Sequence, residues 1–276
     1  MTSPAALPLI SKTTASPLSS LTFRHGLRLS LLALAALLLG GCSQDYNWGW
    51  YVVDPTTKTG LNNLKFLISG ISNTVQVSLI AIAISMAVGL MVALPGITEN
   101  RVLRSVNRVY VEVFRSIPVL VMILWTYYGL PILLGFELGV FWAAVLALAL
   151  CDSAFQAEIF RAGIQSISKG QHEAAESLGL TYLQKMYKVV LPQALRVILP
   201  PLGNQFVYML KMSSLASIIG LTELTRRANE LNVVEYRALE IYSILVLEYM
   251  LLILAASWLV RRMEKRMAQA DARKTH

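Results

Sequence analysis

Two charged residues stand inside apolar segments of this chain, where a charge is costly and by default marks function. Asp152 lies past the middle of the segment 138–160, and Lys211 lies near the middle of the segment 197–220. A charge at the centre of a bilayer costs about 2.5–3.5 kcal/mol on insertion scales. Two roles are open for the pair: Asp152 and Lys211 neutralise each other, or each meets an opposite charge on a passing solute.

The same residue types could carry catalysis, but the sequence argues against an enzyme. An intramembrane hydrolase needs a serine with a base, paired carboxylates or metal ligands. Ser213 and Ser214 are near Lys211, yet close neighbours on a helix point to different faces. No G-x-x-x-x-G-K-[ST] loop occurs, so we expect no ATP hydrolysis by that route and no cofactor in this chain. The histidines lie outside the apolar segments: His25, His172 and His276.

The composition indicates a membrane protein. Of 276 residues, 55% are hydrophobic and 14% charged, and the mean hydropathy is +0.57. Soluble domains are nearer a quarter charged, so lipid is the solvent that fits. About 20 apolar residues span a bilayer as a helix. We predict an all-α polytopic fold with about five core transmembrane helices, at 71–94, 109–134, 138–160, 197–220 and 241–260.

The net charge of +8 follows membrane topology and does not indicate a nucleic-acid partner. With the C-terminus placed in the cytoplasm, 17 of the 24 Lys and Arg residues lie inside and 5 outside, and Arg115 and Lys211 lie within spans. Cytoplasmic loops carry the excess of basic residues, which favours this orientation in an inner membrane. The two cysteines, Cys42 and Cys151, are far apart and predict neither a disulfide nor a metal site.

The N-terminal part differs in composition from the rest. Residues 1–45 form a disordered lead plus a short apolar segment with a basic flank, as in a signal or anchor. Cys42 follows small residues and is a candidate for lipidation, with an uncleaved anchor as the alternative. Residues 46–70 form a periplasmic aromatic segment, 71–262 the transmembrane domain, and 263–276 a basic cytoplasmic tail.

A cytoplasmic hairpin, residues 165–192, is predicted between the third and fourth spans. Ser168 with Gln171 forms a possible capping box, which places a helix start near Lys169. This helix should stop at Gly179, which suits a left-handed terminus. A second capping box, at Thr181 with Gln184, begins a helix over 182–190 that ends at Pro192. Its apolar face comprises Leu183, Met186, Tyr187 and Val190.

The hairpin is either a connector on the membrane surface or a docking element, in which small alanines allow close approach. The spacing favours docking, because it resembles the EAA signature of importer permeases of the ATP-binding-cassette class. A branched residue, Val189, stands where that signature usually has Ile. The matching residues are Glu173, Ala174, Ala175, Gly179, Val189, Leu191 and Pro192.

The resemblance covers about residues 70–262 and points to polar-amino-acid permeases. Further segments similar to that family are 111–131, 157–164 and 191–220. The resemblance implies a type I importer permease that works with two ATPase subunits, which hydrolyse the ATP. It also implies a second copy or a related permease, and a periplasmic amino-acid-binding protein. Its ATPase-coupling residues would be Glu173, Ala174, Ala175, Gly179, Leu191 and Pro192.

If the solute is a polar amino acid, the charges in the spans have a specific possible role. Asp152 could meet the ammonium of an amino acid and Lys211 its carboxylate, although Asp152 departs from the family pattern. We expect structural pairs of Glu112 with Arg115 and of Glu158 with Arg161, and an inward-facing Glu248. The predicted substrate pathway comprises Asp152, Gln156, Asn204, Gln205, Lys211, Ser213 and Ser214.

An ion-coupled carrier or a passive channel for small polar solutes is the alternative function. Carriers are commonly built from paired repeats with broken helices. We find no internal repeat in this sequence. The sequence leaves open which amino acid is carried and whether the permease pairs with itself.

Overall fold

The structure is a computed structural model that describes residues 46–98 and 100–272, with only the backbone for 268–272. One unit comprises Met1–Trp48, and the compact unit discussed below begins at Gly49. The predictions for the lead, the apolar segment and Cys42 therefore lie outside the described residues. Helices account for nearly all of the described structure, and no strand occurs in it, as predicted.

The first half of the compact unit contains a long helical run, Lys58–Gly96, and a sharply bent pair of helices. A 3₁₀ turn, Trp50–Val53, precedes helix α1, which the sequence did not predict; Thr57 caps α1 by accepting the N–H of Gly60 at 3.0 Å. The helices here are α1 (Lys58–Ile68), α2 (Gly70–Gly96), α3 (Arg101–Ser116), α4 (Val119–Leu124), α5 (Leu130–Leu134) and α6 (Val140–Gln165).

The second half contains the hairpin and the last spans. Its helices are α7 (Lys169–Ser177), α8 (Tyr182–Lys185), α9 (Leu191–Met212), α10 (Leu224–Glu235) and α11 (Ala238–Ala272), and a 3₁₀ segment, Ser213–Ile219, follows α9. Three described helical runs are long and apolar enough to cross a membrane: Lys58–Gly96, Val140–Gln165 and Ala238–Met267. Two bent pairs bring the number to as many as five, which agrees with the predicted count.

The packing of α2 against α6 forms the centre of the fold. Small side chains let two membrane helices approach closely, since lipid provides no hydrophobic force between them. Gly89 shows this directly, because a Cβ added there would lie 2.5 Å from Cβ of Gln156. The buried small residues of α2 lie along one face: Thr74, Ser78, Ala81, Ser85, Gly89 and Ala93.

The predicted second span, 109–134, is not one straight helix. The chain bends by 94° between Arg101–Ser116 and Val119–Leu134. Ile117 is extended (φ −83°, ψ 123°) and precedes Pro118, which disfavours helical geometry in the residue before it and lacks an N–H. Residues 109–116 therefore belong to α3, a helix that begins with arginine and carries four of them.

Two π-helical turns share a sequence feature, a Leu-Pro pair that follows directly. The turn Trp125–Gly129 precedes Leu130-Pro131, and the turn Met186–Val190 precedes Leu191-Pro192. A π turn shifts the hydrogen bonds by one residue. Each proline then sits in the first turn of the following helix, where its missing N–H costs little.

The end of the fold away from the hairpin is closed by a buried polar cluster. Glu223 caps α10 by accepting the N–H groups of Thr225 at 2.9 Å and Arg226 at 2.7 Å. The hydroxyl of Tyr249 on α11 donates to the same carboxylate at 2.7 Å. Asn73 on α2 donates to the carbonyl of Thr222 at 2.8 Å. These bonds join α2, α10 and α11 and so stabilise this end of the fold.

Candidate functional site

The hairpin is a tight two-helix turn whose corner is glycine, as predicted. Gly179 has φ of +72°, a left-handed conformation that costs a residue with a Cβ about 1–2 kcal/mol. Its N–H donates to the carbonyl of Glu176 at 2.9 Å, and the N–H of Leu180 donates to the carbonyl of Ala175 at 3.2 Å. This pair of bonds is a Schellman motif and satisfies the last carbonyls of α7.

Only one of the two predicted capping boxes forms. Thr181 and Gln184 exchange the expected bonds, so the start of α8 is confirmed. Ser168 does precede α7, but its side chain makes no capping bond, and the prediction for Ser168 with Gln171 was wrong. The Gln171 side chain instead accepts a bond from Gln193 Nε2 at 3.2 Å. It therefore ties α7 to α9 rather than to its own N-terminus.

A second tie holds α7 against α8. Lys185 Nζ lies 2.6 Å from Glu176 Oε1, and the ammonium also lies over the ring of Tyr182 at 5.7 Å. The hydrogen bond and charge of Lys185 lower the pKa of the Glu176 carboxyl below its ordinary value. The corner, the cap and the two ties make the hairpin a rigid unit.

The predicted end of the second hairpin helix at Pro192 was wrong. The helix runs from Tyr182 through the π turn into α9, and its helical path continues to Ile219. The π turn Met186–Val190 accommodates the proline, for the reason given above. Leu191 and Pro192 are both exposed at the junction. The hairpin is thereby joined to a predicted span without a flexible break.

The hairpin exposes large apolar side chains. Leu178, Tyr182, Leu183 and Tyr187 are between 67% and 79% exposed. Of the predicted apolar face, Leu183 and Tyr187 are thus uncovered, whereas Met186 is half-buried and Val190 is buried.

The two alanines of the signature divide. Glu173 and Ala174 are exposed, but Ala175 is only 2% exposed and packs within the hairpin. The expectation that both alanines offer an outer surface is therefore wrong for Ala175. Its carbonyl already accepts the Schellman bond from Leu180, so this residue serves the shape of the corner.

Asp152 lies at the centre of a buried polar cluster. Its carboxylate accepts bonds from Ser85 Oγ on α2, from Gln156 Nε2 at 2.9 Å, and from Gln205 Nε2 on α9. Asp152 is 4% exposed, and Gln156 is fully buried. This Asp152 cluster (Asp152, Ser85, Gln156 and Gln205) joins three helices. Ser85 was not predicted, because nothing in its spacing distinguishes it from the other small residues of α2.

Two further predicted pathway residues, Asn204 and Lys211, lie on the solvent-exposed side of α9. Asn204, Tyr208 and Lys211, at spacings of four and three, are all exposed and form the exposed face of α9. Within the described residues no ion pair joins Lys211 to Asp152, so the alternative that they neutralise each other is wrong.

The two predicted serines are engaged locally. Ser213 is buried and donates to the carbonyl of Leu210 at 2.8 Å. Ser214 donates to the carbonyl of Lys211 at 2.7 Å. Both hydroxyls thus bond to the backbone where the α-helix changes to a 3₁₀ helix. The structure therefore does not bring the seven predicted pathway residues together on one surface.

The other ionisable groups in the spans follow the predictions in part. Arg161 and Glu158 pair at 2.7 Å, as predicted. The predicted pair of Glu112 with Arg115 was wrong within the described residues, because the Arg115 guanidinium instead stacks on the Phe155 ring at 4.9 Å. Both carboxylate oxygens of Glu248 are buried, and neither has a hydrogen-bond partner among the described residues.

These features define a class: a multi-pass helical membrane protein with a rigid, apolar-surfaced hairpin between two of its core helices. The chain belongs to the family described as the inner membrane component of binding-protein-dependent transport systems, whose pattern matches residues 57–269. It is therefore a transport subunit of an inner membrane. The signature in the hairpin is consistent with this membership.

Three bacterial relatives align over most of their length. A probable glutamine ABC transporter permease protein, GlnM of Bacillus subtilis, is 38% identical over 76% of this chain and 96% of its own. The arginine transport system permease protein ArtQ of the same species is 35% identical over 75% and 95%. The glutamine transport system permease protein GlnP of Escherichia coli is 36% identical over 74% and 94%.

Solved structures share the fold. A crystal structure of an amino acid ABC transporter with histidines matches with a TM-score of 0.72 and 37% identity, over 80% of this chain and all of that one. An inward-facing MetNI methionine ABC transporter matches with a TM-score of 0.64 at 22% identity, over 74% of this chain and 97% of that one, which supports the fold alone.

Proposed function

We propose that this chain is the membrane-spanning subunit of an ATP-driven importer for polar amino acids. It works with two copies of a separate ATPase, a second permease subunit and a periplasmic binding protein. The relatives named for glutamine and arginine support the substrate class. Family membership supports the partners, since the family is defined by dependence on a binding protein.

The observation that carries the proposal is the uncovered apolar surface of a rigid hairpin. Exposed clusters of large apolar residues mark interaction sites on proteins. Here Leu178, Tyr182, Leu183 and Tyr187 are exposed beside Glu173 and Ala174, while the polar ties are satisfied within the chain. A stiff unit of this kind can transmit a push, because its movement cannot be absorbed at the corner or at Pro192. The ATPase is the partner that would supply the push.

The energy is proposed to come from ATP bound by the partner, because this sequence has no phosphate-binding loop. The chain itself is proposed to hold no cofactor and to catalyse no reaction. The positive-inside distribution of Lys and Arg supports a cytoplasmic location for the hairpin and the C-terminus. That side is where ATP and the ATPase are found.

The two faces of α9 support different roles in transport. On one face Gln205 is bound to the carboxylate of Asp152, which we propose holds the core helices together. Asn204, Tyr208 and Lys211 form the exposed face of α9, about a quarter turn around the helix from Gln205. We propose that this exposed face lines the route of the solute, with Lys211 facing the carboxylate of the amino acid. Asp152 is then a positioning residue for the helices and not a ligand of the ammonium.

The direct test is the ATPase activity of the co-purified complex. The tagged permease should retain an ATPase subunit through purification. After reconstitution with its binding protein, polar amino acids presented one at a time should stimulate hydrolysis. Uptake without any co-purifying ATPase, driven by an ion gradient or by the solute gradient alone, would overturn the proposal and favour a carrier or a channel.

A further inference from the structure

A basic cavity of about 540 Å³ lies at the hairpin end of the molecule. It is bounded by the end of α2, the polar face of α3 and the end of α6, where Gln165 is the last helical residue before the hairpin. Its charged lining comprises Arg104, Arg108, Glu112, Arg115, Glu158 and Arg161. The proposed coupling surface does not include these residues.

The charge of this cavity is unbalanced. Four arginines face two glutamates, which leaves two positive charges in excess. Glu158 Oε2 forms an ion pair with Arg161 Nη2 at 2.7 Å. Within the described residues Arg108 has no hydrogen bond or ion pair, and the Arg115 guanidinium lies over the Phe155 ring without a hydrogen bond or ion pair of its own. The cavity therefore presents two guanidinium groups to an anion, and arginine suits the geometry of phosphate oxygens.

The outer face of α3 points to the source of that anion. Val102, Val106, Val109 and Val113 are all exposed, at helical spacings of four, three and four. A helix with arginine on one face and exposed valine on the other has the composition of a membrane-interface helix. A second cavity, of about 580 Å³ and mainly apolar, is lined by Phe114 and other residues near the bend that follows α3. Phe114 directly precedes Arg115 in α3, so apolar surface lies near the arginines, as a lipid would require.

We infer that the basic cavity binds the headgroup of an anionic phospholipid, with its phosphate on Arg108 and Arg115. Glu112 also lines the cavity and has no ion pair within the described residues. Its carboxylate can therefore accept hydrogen bonds from the hydroxyl groups of a polyol headgroup such as glycerol. The assignment to the inner leaflet rests on the proposed orientation. That leaflet is the anionic one, and basic pockets between membrane helices on this side suit such headgroups.

The test is lipid retention by the purified permease, with whatever subunits accompany it, measured by native mass spectrometry. Phosphatidylglycerol is titrated against phosphatidylcholine. Arg108→Gln should weaken phosphatidylglycerol binding about fivefold, since each basic residue near an anionic surface contributes about 1 kcal/mol. Arg108→Lys should retain most of the binding, because it keeps the charge. Arg261→Gln is the matched control, since Arg261 is an exposed arginine in the last third of α11 and does not line the cavity.

Three outcomes would overturn the inference. Equal losses in Arg108→Gln and Arg261→Gln would mean that charge is sensed generally. Equal retention of phosphatidylcholine would mean that the phosphate charge is not selected. Displacement of the lipid by millimolar inorganic phosphate would assign the cavity to a free anion. The readout needs no transport, so a failed ATPase assay would leave this result standing, and the reverse also holds.

Discussion

The Asp152 cluster and the hairpin differ in which of their side chains have partners within the subunit. In the cluster a carboxyl group lies deep in the core, and it accepts hydrogen bonds from three side chains of the same subunit. In the hairpin the backbone and charged groups are satisfied by a glycine corner, a cap and an ion pair, while the apolar side chains stay uncovered. The Asp152 carboxyl group therefore has its partners within the subunit, whereas the apolar surface of the hairpin has no cover within the described residues. A conspicuous charge in a span is therefore a weaker guide to transport than exposed leucine and tyrosine on a short loop.

The largest effect is expected from Leu183→Asp, which tests whether a partner covers the apolar surface of the hairpin. Leu183 is 78% exposed, so a charge there should leave the stability of the permease unchanged within about 0.5 kcal/mol. If the ATPase covers this residue, the substitution removes an apolar anchor, which typically costs 2 kcal/mol or more, or about thirtyfold in affinity. Uptake of labelled amino acid should fall to near background.

Val234→Asp is the control for that substitution. Val234 is 73% exposed and lies on α10, at the end of the fold away from the hairpin. Uptake should remain normal in this variant. Normal uptake in Leu183→Asp as well would remove the hairpin surface from the mechanism.

Asp152→Leu should give the next largest effect, on stability. It removes the acceptor of three hydrogen bonds, and such bonds average about 0.6 kcal/mol each in membranes, so we expect a loss of about 2 kcal/mol. Thermal unfolding of the purified complex measures it. Asp152→Asn, which keeps an acceptor oxygen, should lose less than half as much. A stable Asp152→Leu variant with altered substrate choice would show that Asp152 contacts the solute and does not serve only to hold the helices together.

Lys211→Met should show the reverse pattern. Lys211 is exposed and makes no ion pair within the described residues, so its removal should not change the unfolding temperature of the complex. If Lys211 meets the carboxylate of the solute, uptake should fall about tenfold, which corresponds to roughly 1.4 kcal/mol. Uptake assays across acidic, neutral and basic amino acids measure this. An unchanged rate for every substrate would remove Lys211 from the route.

The smallest effect concerns the rigidity of the hairpin as the pH falls. Lys185 lowers the pKa of Glu176 in the folded protein below the ordinary glutamate value of about 4.3. The ion pair therefore stabilises the hairpin fully above that ordinary value. Its contribution is lost as the pH falls through the lowered pKa of the folded protein. Spin labels at Ser177 and Lys188 should give a narrow distance distribution at neutral pH and a broader one in acid. Glu176→Gln should broaden it at both pH values. A distribution that is narrow throughout would mean that Gly179 and the Thr181 cap suffice.

Local signals in the sequence predicted the hairpin well and the bend after α3 poorly. Gly179 and the Thr181–Gln184 box depend on a few neighbouring residues, so their types determine the geometry. Pro118 also signals a break, but prolines are tolerated within membrane helices, and the apolar run across it suggested one span. The choice between a kink and a 94° bend depends on what α3 packs against.

The site predictions failed where a residue had two possible partners. Gln171 could cap α7 or reach Gln193, and it reaches Gln193. Asp152 could meet Lys211 or the amides on its own side, and it meets Gln156 and Gln205. The face that a side chain presents depends on helix rotation, which spacing within one segment does not fix. The alanine pair divides for the same reason, with Ala174 outward and Ala175 inward.

The most direct test of the central claim is site-specific photo-crosslinking in cells that transport the amino acid. A photoreactive residue replaces Leu183 in one strain and Val234, on α10, in another. We expect that only the probe at position 183 captures the ATPase subunit, with a yield that changes when ATP hydrolysis is blocked. An active transporter in which position 183 captures no ATPase, or captures it no better than position 234, would contradict the account.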